Sequence, residues 1–508
     1  MKYLIGLDVG TSGAKALLVD QEGTVVADAT ATYPLLTPRP GWAEQNPEEW
    51  WDASCNAIRA TVAEAQVAAG DIIGLGLSGQ MHGSVFLDAH NQVIRPAILW
   101  CDQRTAAQCD AITERIGVER VVEETLNPVL TGFQAPKVLW LREKEPENYA
   151  RLASLLLPKD YVRFMLTGEF ATDVSDASGT SLLNVAQRRW SGVMLEGLEL
   201  EERLLPKVYE SVEVTGRLTG EAAALTGLAD GTPVVAGAGD QAAGAVGNGI
   251  VAAGSVSVTT GTSGVVFAYL DEPVLDAELR THTFCHAVPA KWHVMGVMLS
   301  AGGSLRWLRD SICSEEVEAA EGMDVDPYEL MTAAAAGVEP GCEGLVFLPY
   351  LSGERCPYPD PAARGVFFGL NLTHSKPHLI RSVLEGVSFG LRDCFELIKG
   401  LGVGFTEVRA SGGGARSRLW RQIQADILGH EIATMSVDEG SAYGAALLAA
   451  VGTGIYPTVS AAVDAAIAVV ETVAPDPAMI EKYEGYYRVY GQLYGALADE
   501  FDALAQLT

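Results

Sequence analysis

The same four residues occur twice in this chain, in the same setting. Gly10-Thr11-Ser12-Gly13 lies between the apolar runs 3–9 and 14–19, and Gly261-Thr262-Ser263-Gly264 between the runs 255–260 and 265–269. Each time a strand enters a glycine-hydroxyl turn and another strand leaves it. Rossmann and Walker A turns lead instead into a helix, and no G-x-x-x-x-G-K-[ST] run is present. A turn of small residues brings backbone N–H groups and hydroxyls to one spot, which suits a phosphate. Two such turns point to a duplicated fold that grips a polyphosphate from both sides.

At 508 residues the chain is too long for one hydrophobic core, and about two to four domains are expected. Residues 3–30 read as an antiparallel meander of strands 3–9, 14–19 and 24–29. A helix over 47–69 follows, with Glu48 and Glu49 in its first turn. Buried strands are expected at 72–77, 98–100, 234–238 and 408–411, and helices over 420–428 and 478–506. The alternation gives an α/β class. The boundary falls near 245–255, so that 1–245 and 246–508 each carry one glycine turn.

The formal net charge is −30 and the isoelectric point about 4.6. That excludes nucleic acid and an anionic membrane surface as partners, but not a nucleotide held by a few local N–H groups. The eight cysteines form no C-x-x-C pair and no zinc spacing. Reduced thiols in a cytoplasm are expected. The N-terminus, broken by Asp8, is not a signal peptide, and no apolar run is long enough to span a membrane.

Several segments carry chemistry. Asp8 ends a buried strand beside the first turn, where a carboxylate is costly unless paired, hydrated or near a metal. Magnesium or its water shell suits it. Lys15 is able to reach the same phosphates, or is a solvated strand residue. Asp240 ends the apolar strand 234–238, and strand carboxyl ends are where α/β folds place ligands. It reads either as a general base for a hydroxyl or as a helix N-cap. Gln80, Met81 and His82 lie beside flexible glycines and suit a polyol, although His82 also reads as a core histidine. Trp100, Asp102 and Arg104 combine an apolar face with two charges, which suits a sugar or a surface ion pair. Gly412-Gly413-Gly414 between a strand and a helix allows close approach of a flat ring or a phosphate, and 301–304 repeats that more weakly.

In order, these segments resemble the FGGY family of carbohydrate kinases over nearly the whole chain. The carrying runs are 6–13, 78–83, Gly239-Asp240-Gln241, Gly261-Thr262-Ser263 and 411–414, with 353–357 and 365–370 resembling the family's C-terminal signature. The resemblance implies two actin-like ATPase (ribonuclease H-like) domains with a cleft between them. It implies ATP and Mg2+ as cofactors, ATP held mainly by the C-terminal half and sugar mainly by the N-terminal half. Asp240 is then the general base and Asp8 helps hold magnesium. Thr11, Ser12 and Lys15 lie near the transferred phosphate, Gly261 and Thr262 near the nucleotide phosphates, and Gly302 and Arg306 close to the nucleotide. Gly413, Gly414 and Ser417 match the adenosine site, and Ser417 stands where some relatives carry Asn. Gln80, Met81, His82, Trp100, Asp102, Arg104 and Gln241 fall to the sugar.

The Met81-His82 pair implies D-xylulose as the acceptor, with gluconate, ribulose and glycerol as competing substrates. A homodimer is common among relatives. The first family signature is loosely met at 133–137, with Gln134 where Thr or Ser is usual, and no function is carried over from it. An actin- or chaperone-like ATPase is the reading from another class. It needs no sugar segment. A sensor that has lost catalysis would not need both Asp8 and Asp240.

Overall fold

The computed structural model describes residues 1–437 and 439–507. Two seven-stranded sheets carry the duplication. In the first, β1 (Tyr3–Val9), β2 (Gly13–Asp20) and β3 (Val25–Thr32) form the antiparallel meander, and β4 (Ile72–Gly79) pairs with β1 in parallel. β5 (Val214–Arg217) and β6 (Pro233–Val235) extend it beyond β4, and β7 (Ala238–Gly239) also pairs with β4. The second sheet follows the same plan. β8 (Ser255–Thr260), β9 (Gly264–Leu270) and β11 (Trp292–Met298) form its meander, with β10 (His282–Cys285) outside β11. β12 (Glu407–Ser411) pairs with β8 in parallel, followed by β13 (Ile432–Met435) and β14 (Val469–Val473). The central strands read as continuous apolar runs because both faces are covered.

Six helices matter below: α1 (Pro47–Ala65), α2 (Gln134–Lys144), α3 (Asp240–Gly247), α4 (Arg418–Leu428), α5 (Gly440–Gly452) and α6 (Pro477–Ala505). α5 belongs to the second half of the chain yet lies on the first sheet. A Cβ at Gly6 would stand 1.9 Å from the Ala442 carbonyl oxygen, and one at Gly76 2.0 Å from that of Ala445. Against α3 the contact is as close, 1.8 Å from a Cβ at Gly444 to the Ala243 oxygen. One core cluster therefore draws on both halves, with Leu4, Val235 and Ala243 packed among Ala446, Leu447 and Ala450.

Two expected strands differ. The run 98–100 keeps only Ala97–Ile98 as strand, paired with Glu44–Gln45, and Trp100 lies in the turn after it. The run 234–238 is broken at Gly237, whose φ is +76°. A Cβ there would stand 2.1 Å from the Leu77 carbonyl oxygen, so only glycine lets the chain bend against β4. The bend re-pairs Ala238–Gly239 with Ser78–Gly79 and brings Asp240 to the end of β4. α1 also stops short of 69, at Gln66, whose φ is +54°.

Candidate active site

Asp8 stands near the carboxyl end of β1, opposite Ser78 on β4 and Lys15 on β2. Its Oδ1 is buried without a hydrogen-bond partner. Burial raises its pKa, against the neighbouring Ser78 hydroxyl and the Lys15 charge. Asp240 is the first residue of α3, and Gly239 occupies the cap position, with no side-chain cap. The N-cap reading of Asp240 is thereby corrected. Burial pushes its carboxyl up to about 7, and the Asp8 charge adds to the rise. Asp240 and Gln241 line a cavity of about 300 Å³ that runs from α3 to Ser257 and Thr259 on β8 and to Gly412.

The first turn is a braced hairpin. Gly10 N–H donates to the Gly13 carbonyl at 3.0 Å, and Gln45 Nε2 donates to the Thr11 carbonyl at 2.7 Å. The half-exposed Trp100 donates its indole N–H to Thr11 Oγ1 at 3.0 Å. Ser12 is exposed. Lys15 pairs with Glu439, across from the other half of the chain, and with Asp28 at 3.5 Å. Burial pulls its ammonium down, but the two carboxylates outweigh that and leave it raised.

Three expected sugar residues face the scaffold instead. Gln80 is buried, its Nε2 donating to Gly10 O and Gln45 Oε1 and its Oε1 accepting from Thr11. Asp102 accepts from Ala43 N at 2.7 Å and from the Arg104 backbone and guanidinium. Arg104 is buried too, 2.6 Å from Glu44 and 3.6 Å over the Trp42 ring. The pair is a buried network, not a surface ion pair, and its polar groups are spent on protein.

His82 is placed differently. Its φ is +68°, and Gly83 N–H donates back to Met81 O at 2.9 Å, which makes His82 the centre of a γ-turn. Its Nδ1 lies 2.7 Å from the Gly179 carbonyl, which only accepts, so Nδ1 carries the proton. Burial pushes the imidazole down to about 3, so it is neutral and Nε2 is an acceptor.

The second turn opens onto a separate cavity of about 460 Å³, lined by Gly261, Thr262, Gly302, Arg306, Gly413, Gly414 and Ser417. All seven residues expected at the nucleotide therefore meet in one place. Gly302 N–H donates to Gly261 O at 2.8 Å, and Arg306 donates to Thr262 Oγ1 at 3.0 Å. Gly412 has a φ of +78°, and a Cβ there would crowd Thr260. Ser417 caps α4 by accepting from Trp420 N at 3.3 Å.

Sequence reasoning missed Glu439, Gln45 and Gly179. Each acts through a partner far away in the chain, and none sits in a recognisable run.

Known proteins resemble this chain over most of its length. The N-terminal domain model of the FGGY family of carbohydrate kinases matches residues 3–247, and the C-terminal domain model residues 256–453. The xylulose kinase of Escherichia coli K12 is 45% identical over 446 residues, 88% of this chain and 89% of its own. A gluconokinase of Bacillus subtilis is 34% identical over 455 residues, 89% and 88% of the two chains. The crystal structure of xylulose kinase from Rhodospirillum rubrum superimposes with a TM-score of 0.90 at 32% identity, over 99% of this chain and 100% of that one. This chain belongs to the FGGY family of carbohydrate kinases.

Proposed function

We propose that the protein transfers the γ-phosphoryl group of MgATP to D-xylulose, giving D-xylulose 5-phosphate and ADP. What supports this above all is Asp240, a carboxylate held near pH 7 at the edge of a cavity and next to a second carboxylate. A base poised there accepts the proton of the terminal hydroxyl as its oxygen attacks the γ-phosphorus in line. Trp100 offers an apolar face, while Met81, His82 and Gln241 complete the sugar side. The neutral Nε2 of His82 accepts from a hydroxyl and offers no charge to a carboxylate, which favours a ketose over gluconate. Residues 1–245 are then the sugar half and 246–508 the nucleotide half.

The first turn and Lys15 face the phosphate in flight. Lys15 must exchange Glu439 for phosphate oxygens to do so. Gly261 and Thr262, with Arg306 behind Thr262, hold the phosphates that leave with ADP. The unpartnered Oδ1 of Asp8 fits a magnesium ion or one of its waters. Such an ion supplies charge neutralisation for the phosphate oxygens. A homodimer and a cytoplasmic setting belong to the same reading.

ADP release measured against D-xylulose, D-ribulose, L-ribulose, gluconate and glycerol tests it. D-xylulose is expected to give the highest kcat/KM, and a clear preference for another sugar overturns the substrate. In the same assay kcat/KM for the sugar should fall about tenfold per pH unit below about 7, because only ionised Asp240 accepts a proton. A flat profile from pH 5.5 to 8 would remove Asp240 from that role. Gly302→Ala places a methyl group 2.5 Å from the Gly261 oxygen. It should raise the KM for ATP about tenfold or more and leave the KM for the sugar within about twofold. Equal rises in both would mean that Gly302 serves the fold at large.

A further inference from the structure

The segment 133–137, to which the sequence assigned nothing, grips the His82 turn at three points. The Phe133 ring stacks on the His82 imidazole, with centroids 4.6 Å apart and planes at 18°. Gln134 Nε2 donates to the Gly83 carbonyl at 3.2 Å and to Leu156 O at 3.1 Å. Lys137 Nζ donates to the His82 carbonyl at 2.8 Å and to Gly132 O at 2.5 Å. All three side chains are buried. Lys137 has no carboxylate partner among the described residues, so a buried ammonium is satisfied by carbonyls alone. An apolar side chain of that length would be cheaper to bury. A γ-turn with positive φ at a histidine is itself strained and persists only where its surroundings over-determine it.

We infer that Lys137, with Phe133 and Gln134, is the positioning residue of the sugar-reading turn: it holds His82 from behind so that Nε2 presents its lone pair to a sugar hydroxyl. The inference deepens the proposed function and rests on it for the identity of the sugar. Lys137 works through His82 and touches neither substrate. Burial also draws the Lys137 ammonium down to about 7, with Asp102 and Cys101 opposing the fall, Arg104 adding to it and Cys109 opposing it weakly. The charge on this lysine is thus weakly held, unlike that of a lysine kept for an ion pair.

Lys137→Met keeps the length and removes the donor. Assayed on whichever sugar the wild-type protein prefers, it should raise the sugar KM about 10- to 100-fold. The ATP KM and the sugar-independent ATP hydrolysis should stay within about twofold. Phe133→Leu, which removes the stack without touching a polar group, should shift the same constant in the same direction. An unchanged sugar KM in both variants overturns the inference. So does a joint loss of sugar affinity, ATP affinity and melting temperature, since that marks a merely structural lysine. Imidazole 15N spectra of the sugar-free protein give a readout independent of activity. The wild type should show His82 protonated on Nδ1, and Lys137→Met a mixture of tautomers. If the wild type releases no ADP with any sugar, the proposed function fails, and an unaltered His82 spectrum in the variant then overturns the clamp separately.

Discussion

Asp240→Asn is expected to lower kcat by about 10²–10⁴ while ATP still binds. The asparagine keeps the size of the side chain and can still hydrogen-bond near Gln241, so the cavity is preserved. What it loses is the ability to take a proton at the moment of transfer. The same substitution should stabilise the fold at alkaline pH. Burial and the Asp8 charge raise the Asp240 pKa from the usual carboxylate range to about 7 in the folded chain. A raised carboxyl binds its proton more tightly folded than unfolded, so its contribution is fully present below about pH 4 and is lost as pH rises to about 7. At pH 8 the ionised group therefore costs on the order of 2–4 kcal/mol, the lower end allowing for solvent screening. Asparagine has no charge to bury. Calorimetry at pH 8 should show the variant melting above the wild type, with the gap closing toward pH 5. Near-normal turnover would refute the base assignment. A variant that melts lower at pH 8 would refute the raised pKa.

How far the sequence reaches is seen by setting three groups side by side. The two glycine turns and the meanders around them are legible because strands buried on both faces read as unbroken apolar runs, and hairpin turns need glycine in fixed places. The nucleotide cavity is legible for the same reason. Gly302 and Gly412 lie against the backbone of Gly261 and Thr260, and close backbone approach demands glycine wherever the partner lies in the chain. The sugar side is only half legible. Gln80, Asp102 and Arg104 have the right chemistry, yet whether a polar group meets ligand or protein depends on its partners. Here those are Gln45, Ala43 and Glu44, supplied by another part of the chain. Gly237 shows the converse. A single residue inside an apolar run breaks the expected strand and moves Asp240 into position, and nothing in the run's hydrophobicity marks it.

Lys159→Met should destabilise the protein by about 3–5 kcal/mol at pH 8, the largest loss of stability expected from any single change named here. Lys159 is fully buried, with its Nζ 2.6 Å from Asp160, 3.0 Å from Asp173 and 3.5 Å from Asp176. Burial lowers its pKa, but the three carboxylates outweigh that and hold it above its ordinary value. Methionine fills the same space and takes away the ammonium that three buried carboxyls share, leaving Arg163 to act on Asp160 alone. Burial already raises Asp176 well above the usual range, and Asp160 is raised as well. Without Lys159 both rise further. A carboxyl raised on folding loses stability as pH climbs from about 4 through its folded value, so the deficit of the variant should be smaller at pH 5 than at pH 8. Denaturant unfolding at the two pH values measures it, and an equal deficit at both would mean that packing, not charge, is what Lys159 supplies. The cluster also reaches the active site. Asp173 accepts from Ser175, and Ser175 Oγ in turn accepts the N–H of Gly239, the residue before the base, at 3.1 Å. Asp176 and Asp240 repel one another as well. Taking the Lys159 ammonium out of this network removes a positive charge from behind Asp240, which favours the protonated form of the base. The acid limb of kcat/KM should move to higher pH in Lys159→Met, and a limb that stays put would separate the buried cluster from the catalytic carboxylate.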